Sequence, residues 1–402
     1  MNILMKFYCR SYQLAFRLAM PLLPYREPER FDSIHALPSL LERLQIRSVL
    51  LVTDLSLWEA GAARPLEELL EQSGVHCAVY HGTRANPTVR NVEEARAQYL
   101  AEGCQGIIAF GGGSSMDCAK AAGARVVYPR RSVNQMKGLL RVLRRLPPLI
   151  AIPTTAGTGS EVTITAVITD SEKKHKYTMN NFTMIPHYTV LDPAVTRTLP
   201  PALTATTGMD ALTHAVEAYI GGSTTKETRR LALETVRLVF ENLETAYRDG
   251  GDLTARKNML HAAHIAGIAF SKSYVGYVHA VAHSLGGQYN TPHGLANAVL
   301  LPIGLELYDS CVCRKLWELG RSAGVVDGTT PEREGAEAFI AAIRGLNRRL
   351  NIPEKLPEIR REDIPVMAAH AAREANPLYP VPKLMDRKEL ERFYELAADR
   401  RQ

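Results

Sequence analysis

The hydrophobic pattern of the chain changes once, near residue 200, and this change constrains the fold more than any other feature. Before it, short apolar runs typical of buried strands alternate with helical stretches. The apolar runs are residues 48–52, 76–80, 106–110, 149–152, 162–169 and 188–191. Strands that alternate with helices predict a mostly parallel sheet with helices on both faces. From residue 202 onward the periodicity is almost entirely helical, which predicts an all-α region.

The change of pattern also predicts where one domain ends. It falls in segment 192–201, which contains three prolines, and proline clusters punctuate chains. A chain of 402 residues is too long for one ordinary core. We therefore expect an N-terminal extension at residues 1–30, an α/β domain at 31–198 and an all-helical domain at 199–402.

The N-terminal extension has the pattern of a basic amphipathic helix. Lys6, Arg10 and Arg17 interrupt its apolar residues, so we expect neither a transmembrane segment nor a secretory signal. Two interpretations stay open: the helix packs on the protein or a neighbouring subunit, or it lies on a membrane surface.

The composition indicates the cellular compartment and limits the kinds of binding partner that the sequence requires. The six cysteines show neither zinc-ribbon nor disulfide-framework spacing, which favours the reducing cytoplasm. The net charge of +6 is too small to require a nucleic-acid partner.

A glycine-rich turn follows one of the apolar runs. Gly111, Gly112 and Gly113 come directly after residues 106–110 and are followed by Ser114 and Ser115 at the start of a helical stretch. Glycines let backbone N–H groups approach a ligand closely, and a helix N-terminus favours negative charge. The turn therefore suits a diphosphate, although the same residues also fit a purely structural turn.

Polar side chains follow three other apolar runs. A loop with Thr154, Thr155 and Thr158 follows residues 149–152, Asp54 ends another run, and Asn86 lies beyond a third. Ligands bind at the carboxyl ends of strands in open α/β sheets. Asp54 is suited to accept hydrogen bonds from an adenosine ribose and to repel a 2′-phosphate. Asn86 also fits an ordinary turn residue.

Histidines cluster in the second half, where six of the twelve lie between residues 214 and 293. Asp210 and His214 are four residues apart, as are His279 and His283, and His293 follows after a loop. Residues at this spacing share a helix face. One carboxylate with three imidazoles suits a divalent ion such as Fe²⁺, Zn²⁺ or Mn²⁺. The nearby pair of His261 and His264 is interpreted as structural.

Taken together, these motifs resemble the iron-containing (group III) alcohol dehydrogenases, the family of lactaldehyde reductase, butanol dehydrogenase and 1,3-propanediol dehydrogenase. The matching stretches are residues 52–54, 86–88, 111–120, 153–163, 192–193, 208–217 and 278–302. The resemblance implies a dehydroquinate synthase-like architecture, with a Rossmann-like dinucleotide-binding domain, an all-helical metal-binding domain, and the metal in the cleft between them.

The resemblance also implies roles for individual residues. The metal ligands would be Asp210, His214, His279 and His293, and His283 would be the catalytic proton relay. The cofactor-binding residues would be Asp54, Asn86, Gly112, Gly113, Ser114, Ser115, Thr154, Thr155, Thr158, Thr163 and Lys176. Asp54 occupies the position whose carboxylate accompanies a preference for NAD.

We therefore expect a metal-dependent, NAD(H)-linked oxidoreductase that interconverts a primary short-chain alcohol or diol with its aldehyde. Fe²⁺ is the first choice of metal, with Zn²⁺ and Mn²⁺ as alternatives, and the protein is expected to form a homodimer or larger homo-oligomer. The alternatives are a hydroxyacid–oxoacid transhydrogenase, or another reaction on the same scaffold such as that of a dehydroquinate-synthase-like lyase. A non-catalytic role would not require all four ligand-type residues.

Overall fold

The computed structural model describes residues 1–20, 23–171 and 175–399. The chain divides into two compact units. One is Pro24–Leu199, and the other combines Met1–Leu23 with Pro200–Gln402. The N-terminal helix α1 (Ile3–Ala19) thus belongs to the C-terminal, helical unit.

The unit Pro24–Leu199 alternates strands and helices. Its strands are β1 Glu29–Phe31, β2 Ser48–Asp54, β3 His76–Thr83, β4 Gly106–Gly111, β5 Gly138–Leu139, β6 Leu149–Pro153, β7 Thr165–Asp170, β8 His175–Asn180 and β9 Tyr188–Val190. Its helices are α2 Leu37–Arg43, α3 Leu55–Glu59, α4 Arg64–Gln72, α5 Val89–Ala101 and α6 Gly113–Val127.

Six of these strands form a parallel sheet in the order β1-β9-β6-β4-β2-β3. The central strands are apolar on both faces because both faces are covered. In β2, Leu50 belongs to one core cluster, whereas Val49 and Leu51 belong to the cluster on the other face. This sheet and the helical second half confirm the predicted fold class.

The strand order reverses between β2 and β4. Strand β3 pairs with one edge of β2, and β4 pairs with the other. The carboxyl ends of β2 and β4 therefore flank the switch point, where open α/β sheets bind their ligands.

One part of the predicted strand series is wrong. The sequence predicts that residues 162–169 join the parallel sheet, but β7 lies in a separate three-stranded sheet, in the order β5-β8-β7, and runs antiparallel to β8. Only four residues separate Asp170 from His175, and so short a connection joins antiparallel rather than parallel strands. The sequence pattern does not predict β8 as a strand.

The helical unit carries the histidine-rich segment. Besides α1, its helices are α7 Pro201–Ile220, α8 Lys226–Arg248, α9 Leu253–Ser273, α10 Tyr277–Tyr289, α11 His293–Tyr308, α12 Cys313–Ser322, α13 Glu332–Arg349, α14 Ile364–Ala375 and α15 Arg387–Ala397. Nearly every residue of α7 after Thr207 is buried, so its polar side chains project into protein rather than solvent.

One helical stretch of the described residues, His293–Ser322, has the length and composition that could cross a membrane. In its apolar 18-residue window, 67% of the residues are buried inside the protein. This burial is typical of a core helix, so length and composition are weak grounds for a membrane span.

Candidate metal and cofactor sites

Three helices bring together the four side chains that the resemblance implies as metal ligands. Helix α7 carries Asp210 and His214 one turn apart, α10 carries His279, and α11 begins at His293. One potential ligand atom from each of the four lies within 4.8 Å of those of the other three. Asp210, His214 and His279 are buried and His293 is half-buried. One carboxylate and three imidazoles therefore surround a single small space.

The protonation of this group suits a divalent cation. Nε2 of His279 is buried without a hydrogen-bond partner among the described residues, and it lies 3.9 Å from Oδ1 of Asp210. Burial and the neighbouring imidazoles hold the pKa of His279 well below its usual range. Burial also lowers the pKa of His293 to about 4. Neutral imidazoles offer lone pairs, and a metal ion satisfies them.

A carboxylate behind His279 fixes the orientation of its ring. Oε2 of Glu217 lies 2.6 Å from Nδ1 of His279, and the backbone N–H groups of Gly276 and Val278 donate to the same carboxylate at 2.8 Å each. Burial raises the pKa of Glu217 to about 7, against the opposing effect of these hydrogen bonds. The contact leaves Nε2 of His279 directed toward the other ligands.

An amide contacts two further members of the four-residue group. Nδ2 of Asn297 donates to Oδ1 of Asp210 at 2.7 Å and lies 3.1 Å from Nε2 of His293. Asn297 stands one turn after His293 on α11. Glu217 and Asn297 are not among the residues predicted from the sequence, although helical spacing from Asp210, His214 and His293 is a signal that can find them.

His283 lies beside the four ligands and has a polar support of its own. Its ring centroid is 5.2 Å from that of His293, and its Nδ1 is 2.6 Å from Oε1 of Glu374. Tyr379 donates its hydroxyl to the same oxygen at 2.7 Å. Desolvation favours a neutral ring, but the charge and hydrogen bond of Glu374 outweigh it and raise the pKa of His283. His283 is therefore suited to hold a proton.

The glycine turn of the α/β unit lies at the carboxyl end of β4, between β2 and β6. Gly112 is the N-cap of α6, and no side chain caps this helix. The first N–H groups of α6 thus have no capping oxygen, and together with the helix dipole they attract an anion.

The loop that contains Thr154, Thr155 and Thr158 packs directly on this turn. A Cβ added to Gly113 would lie 3.1 Å from the side chain of Thr158, and one added to Gly112 would lie 3.3 Å from that of Thr155. The buried hydroxyl of Thr154 has no hydrogen-bond partner among the described residues, and neither does that of Ser115. Glycine leaves a polar cradle here, whose hydroxyl and backbone N–H donors suit a diphosphate.

Asp54 and Asn86 lie at the same edge of the sheet. Asp54 ends β2, and its Oδ1 accepts a hydrogen bond from the backbone N–H of Leu57 at 3.0 Å, which caps α3. The backbone N–H of Asn86 donates to Oγ of Ser114 at 3.4 Å. Asn86 also has a φ of 61°, as expected of a turn residue. This backbone role is compatible with its predicted role in cofactor binding.

Two predicted cofactor residues, Thr163 and Lys176, contact residues outside the glycine turn. Thr163 is buried, and its hydroxyl is 2.9 Å from Nζ of Lys120. Lys176 lies on β8 opposite Thr169, and burial lowers its pKa. Contact of Thr163 and Lys176 with a cofactor stays a prediction.

Comparison with known proteins identifies the family. The protein-family model described as "Iron-containing alcohol dehydrogenase" matches residues 30–193. A second family model, described as "Fe-containing alcohol dehydrogenase family, C-terminal", matches residues 204–398. The chain belongs to the iron-containing alcohol dehydrogenases. This confirms the resemblance drawn from the sequence motifs.

Individual members of the family are similar in sequence and structure to most of this chain. A 1,3-propanediol dehydrogenase of Klebsiella pneumoniae is 38% identical over 342 residues, covering 83% of this chain and 88% of that protein. A crystal structure of a 1,3-propanediol oxidoreductase superposes with a TM-score of 0.89 at 35% identity, covering 93% of this chain and 99% of that one. A sulfoacetaldehyde reductase of Bifidobacterium kashiwanohense, solved in complex with NAD⁺, gives a TM-score of 0.83 at 26% identity, covering 93% and 98%.

In this iron-containing alcohol dehydrogenase, a buried network of hydrogen bonds connects helix α6 to residues 160–165. Nζ of Lys120 is fully buried and donates to Oγ of Ser160 at 3.1 Å and to the backbone oxygens of Thr163 and Thr165 at 3.0 and 2.9 Å. Oδ1 of Asp117 accepts a hydrogen bond from the same Ser160 hydroxyl at 2.9 Å. Both Lys120 and Asp117 lie in the stretch 111–120 that carries the family resemblance.

The remaining histidine pair lies apart from the metal group. His261 and His264 are on α9 and are not members of the four-residue group. Nε2 of His261 is 3.4 Å from a carboxylate oxygen of Glu234 on α8, and His264 is buried. These positions are consistent with the structural interpretation of the pair.

Proposed function

We propose that this chain is a metal-dependent, NAD(H)-linked oxidoreductase that interconverts a primary short-chain alcohol or diol with its aldehyde. The observation that carries the proposal is the convergence of Asp210, His214, His279 and His293 on one space, in a chain of the iron-containing alcohol dehydrogenase family. The propanediol dehydrogenase among its relatives supports a small alcohol or diol as the substrate class.

When bound, the metal would act as a Lewis acid on the substrate oxygen, and NAD⁺ would accept the hydride. The residues of the chain prepare for this chemistry. Asp210 supplies one negative charge, and His279 and His293 supply neutral imidazoles. Glu217 holds the ring of His279 by its Nδ1, so the ligand set is oriented in advance and little reorganisation is needed.

His283 is the residue that transfers the proton. Its Nδ1 contacts Glu374 at 2.6 Å, and the negative charge of Glu374 stabilises a proton on the ring. Its side chain is 42% exposed, so the ring has access to water. Oxidation of an alcohol releases a proton that His283 can accept and pass on, and reduction of an aldehyde reverses the transfer.

Residues of the α/β unit account for cofactor binding. The N-terminus of α6 and the cradle beside Thr155 and Thr158 are suited to the diphosphate, with Gly112, Gly113, Ser114 and Ser115 as the turn. Asp54 disfavours a 2′-phosphate by charge repulsion, which supports NAD(H) over NADP(H). Thr163 and Lys176 are retained as further contacts.

Three finer statements belong to the same proposal. The bound metal is Fe²⁺, the enzyme acts in the cytoplasm, and it assembles as a homodimer or larger homo-oligomer. All six cysteines are free thiols, which supports a reducing compartment.

Metal analysis combined with an NAD(H)-linked activity screen tests the proposal. The purified protein is expected to hold one divalent ion per chain and to release NADH over many turnovers with short alcohols and diols. His279→Ala should lose both metal and turnover, because it removes a buried ligand. His261→Ala is the matched control, since that histidine is outside the ligand group, and it should keep both.

Two results would contradict the proposal. Metal content and turnover that both survive in His279→Ala would remove this site from the mechanism. NADH that stays bound while a hydroxy acid reduces an oxo acid would instead identify a transhydrogenase.

A further inference from the structure

Helix α1 is attached to the helical unit along one narrow side. Cys9 and Gln13 are its buried side chains. Nε2 of Gln13 donates to the backbone oxygen of Tyr379 at 2.7 Å, and the guanidinium of Arg10 donates to that of Val381 at 2.8 Å. These contacts fix the helix and leave its other sides exposed.

The exposed sides of α1 are rich in large apolar residues. Among the described residues, eight of the 17 exposed large apolar side chains lie on this helix; they are Ile3, Leu4, Met5, Phe7, Tyr8, Tyr12, Leu14 and Leu18. Ile3, Phe7, Leu14 and Leu18 follow helical spacing and form one row. Their exposed fractions are 82%, 75%, 57% and 69%. Scattered apolar side chains are ordinary on a surface, whereas a contiguous row indicates a binding face.

A basic row runs beside the apolar one. Lys6, Arg10 and Arg17 each follow a member of the apolar row by three residues, so the two rows are neighbours on the helix surface. No acidic residue precedes Glu27. The segment therefore presents apolar side chains flanked by positive charge, with no acidic residue of its own.

We propose that α1 binds the surface of a membrane that contains anionic lipids. The apolar row would enter the boundary between headgroups and acyl chains, and Lys6 and Arg17 would contact the lipid phosphates. A large apolar face with a basic flank is typical of helices that lie in this interface. The family model begins at residue 30, so α1 is a feature of this chain outside the segment that defines the family.

Charge complementarity favours a lipid surface over a second copy of this chain. Each copy of α1 carries the same cations and no acidic residue, so pairing this face across a two-fold axis would bring like charges together. Anionic headgroups would neutralise the same cations, while the acyl boundary covers the apolar row. The attachment through Gln13 and Arg10 would keep the enzyme folded while α1 is bound.

Flotation of the full-length protein with phosphatidylcholine vesicles, with and without phosphatidylglycerol, tests the proposal. The protein is expected to float with the anionic vesicles and to dissociate from them as salt is raised. Each basic side chain near an anionic surface strengthens binding about fivefold, so Lys6→Gln/Arg17→Gln should weaken partitioning about 25-fold. Phe7→Ser/Leu18→Ser should also reduce it, because the apolar row is shortened.

Matched controls remove similar groups elsewhere. Leu143→Ser/Val366→Ser replaces side chains that are 70% and 55% exposed, and Arg333→Gln/Arg348→Gln removes two exposed cations from α13. Both control variants should partition as the wild-type protein does. NAD(H)-linked turnover should be preserved in all four variants, which shows that each is folded.

Three results would overturn the inference. They are equal flotation with neutral and anionic vesicles, no flotation with either, and α1 variants that bind vesicles normally but change the oligomeric mass in sedimentation. The last result would assign this face to a second copy of the chain.

Discussion

Nδ1 of His279 lies 2.6 Å from Oε2 of Glu217, and both side chains are almost completely buried. The same carboxylate receives backbone N–H groups from the first turn of α10. Helix α7 thus supplies Asp210 and His214 as ligand-type residues and also the carboxylate that orients a third. A carboxylate behind an imidazole fixes its tautomer and increases its basicity toward a metal.

Glu217→Gln is expected to lower metal affinity about 10- to 100-fold while the fold is retained. The amide keeps the size of the side chain but loses the negative charge that supports His279. Competition with a chelator, followed by metal analysis of the protein fraction, measures the change.

Glu227→Gln is the matched control for Glu217→Gln. Glu227 contacts Lys272 at 2.7 Å on the surface of the helical unit, away from the four ligands. The Glu227→Gln variant should retain metal as the wild-type protein does. If Glu217→Gln retained metal equally well, the orienting role of Glu217 would be wrong.

The sequence predicts the four ligand-type residues more readily than the residues that support them. Asp210 and His214 are found by helical spacing, because the chemistry of a ligand is visible in its residue type. Glu217 lies in the same apolar helix, but its partners are backbone groups of α10. Those contacts depend on how α7 and α10 pack, which periodicity does not reveal.

The wrong prediction for the sheet has the same cause, because periodicity does not reveal which strands pair. Residues 162–169 are apolar enough for a strand, and the sequence predicted one. Apolar content does not specify a pairing partner, and the antiparallel pairing of β7 with β8 depends on a short connection. Strands β2, β4 and β6 were recognised because a sheet covered on both faces requires continuous apolar runs.

Asp54→Asn should increase NADP(H) use relative to NAD(H) without unfolding α3. The substitution removes the charge that repels a 2′-phosphate but keeps an oxygen that can accept from the N–H of Leu57. The ratio of kcat/KM for the two cofactors measures the change. Asp54→Gly removes both charge and cap, so similar ratios in the two variants would assign the effect to charge. An unchanged ratio in both would remove Asp54 from cofactor selection.

Gly113→Ala should weaken NAD⁺ binding, because the new methyl group would lie 3.1 Å from the side chain of Thr158 and force the two loops apart. Thr158→Ser in the same chain removes the nearer methyl group and should recover part of the affinity. Isothermal titration of the single and double variants with NAD⁺ forms a double-mutant cycle. Strict additivity would mean that the two loops are not coupled through this contact.

The burial of Lys120 predicts a pH dependence of stability. Burial lowers its pKa from 10.5 to about 8, although Asp117 and Glu161 oppose the shift. Between these values the unfolded chain holds a proton that the folded chain has released. The free energy of unfolding should therefore rise with pH through this window, by about 1.4 kcal/mol per pH unit from this group.

Lys120→Met isolates this contribution because it fills similar space and cannot ionise. We expect the free energy of unfolding of wild-type protein minus that of Lys120→Met to grow by roughly 2 kcal/mol from about pH 8 to about pH 9.5. Urea denaturation followed by circular dichroism measures this difference, and groups that titrate alike in both proteins cancel. A difference that stays constant across the window would show that the folded chain keeps Lys120 protonated. In that case its contacts with Ser160, Thr163 and Thr165 outweigh its burial.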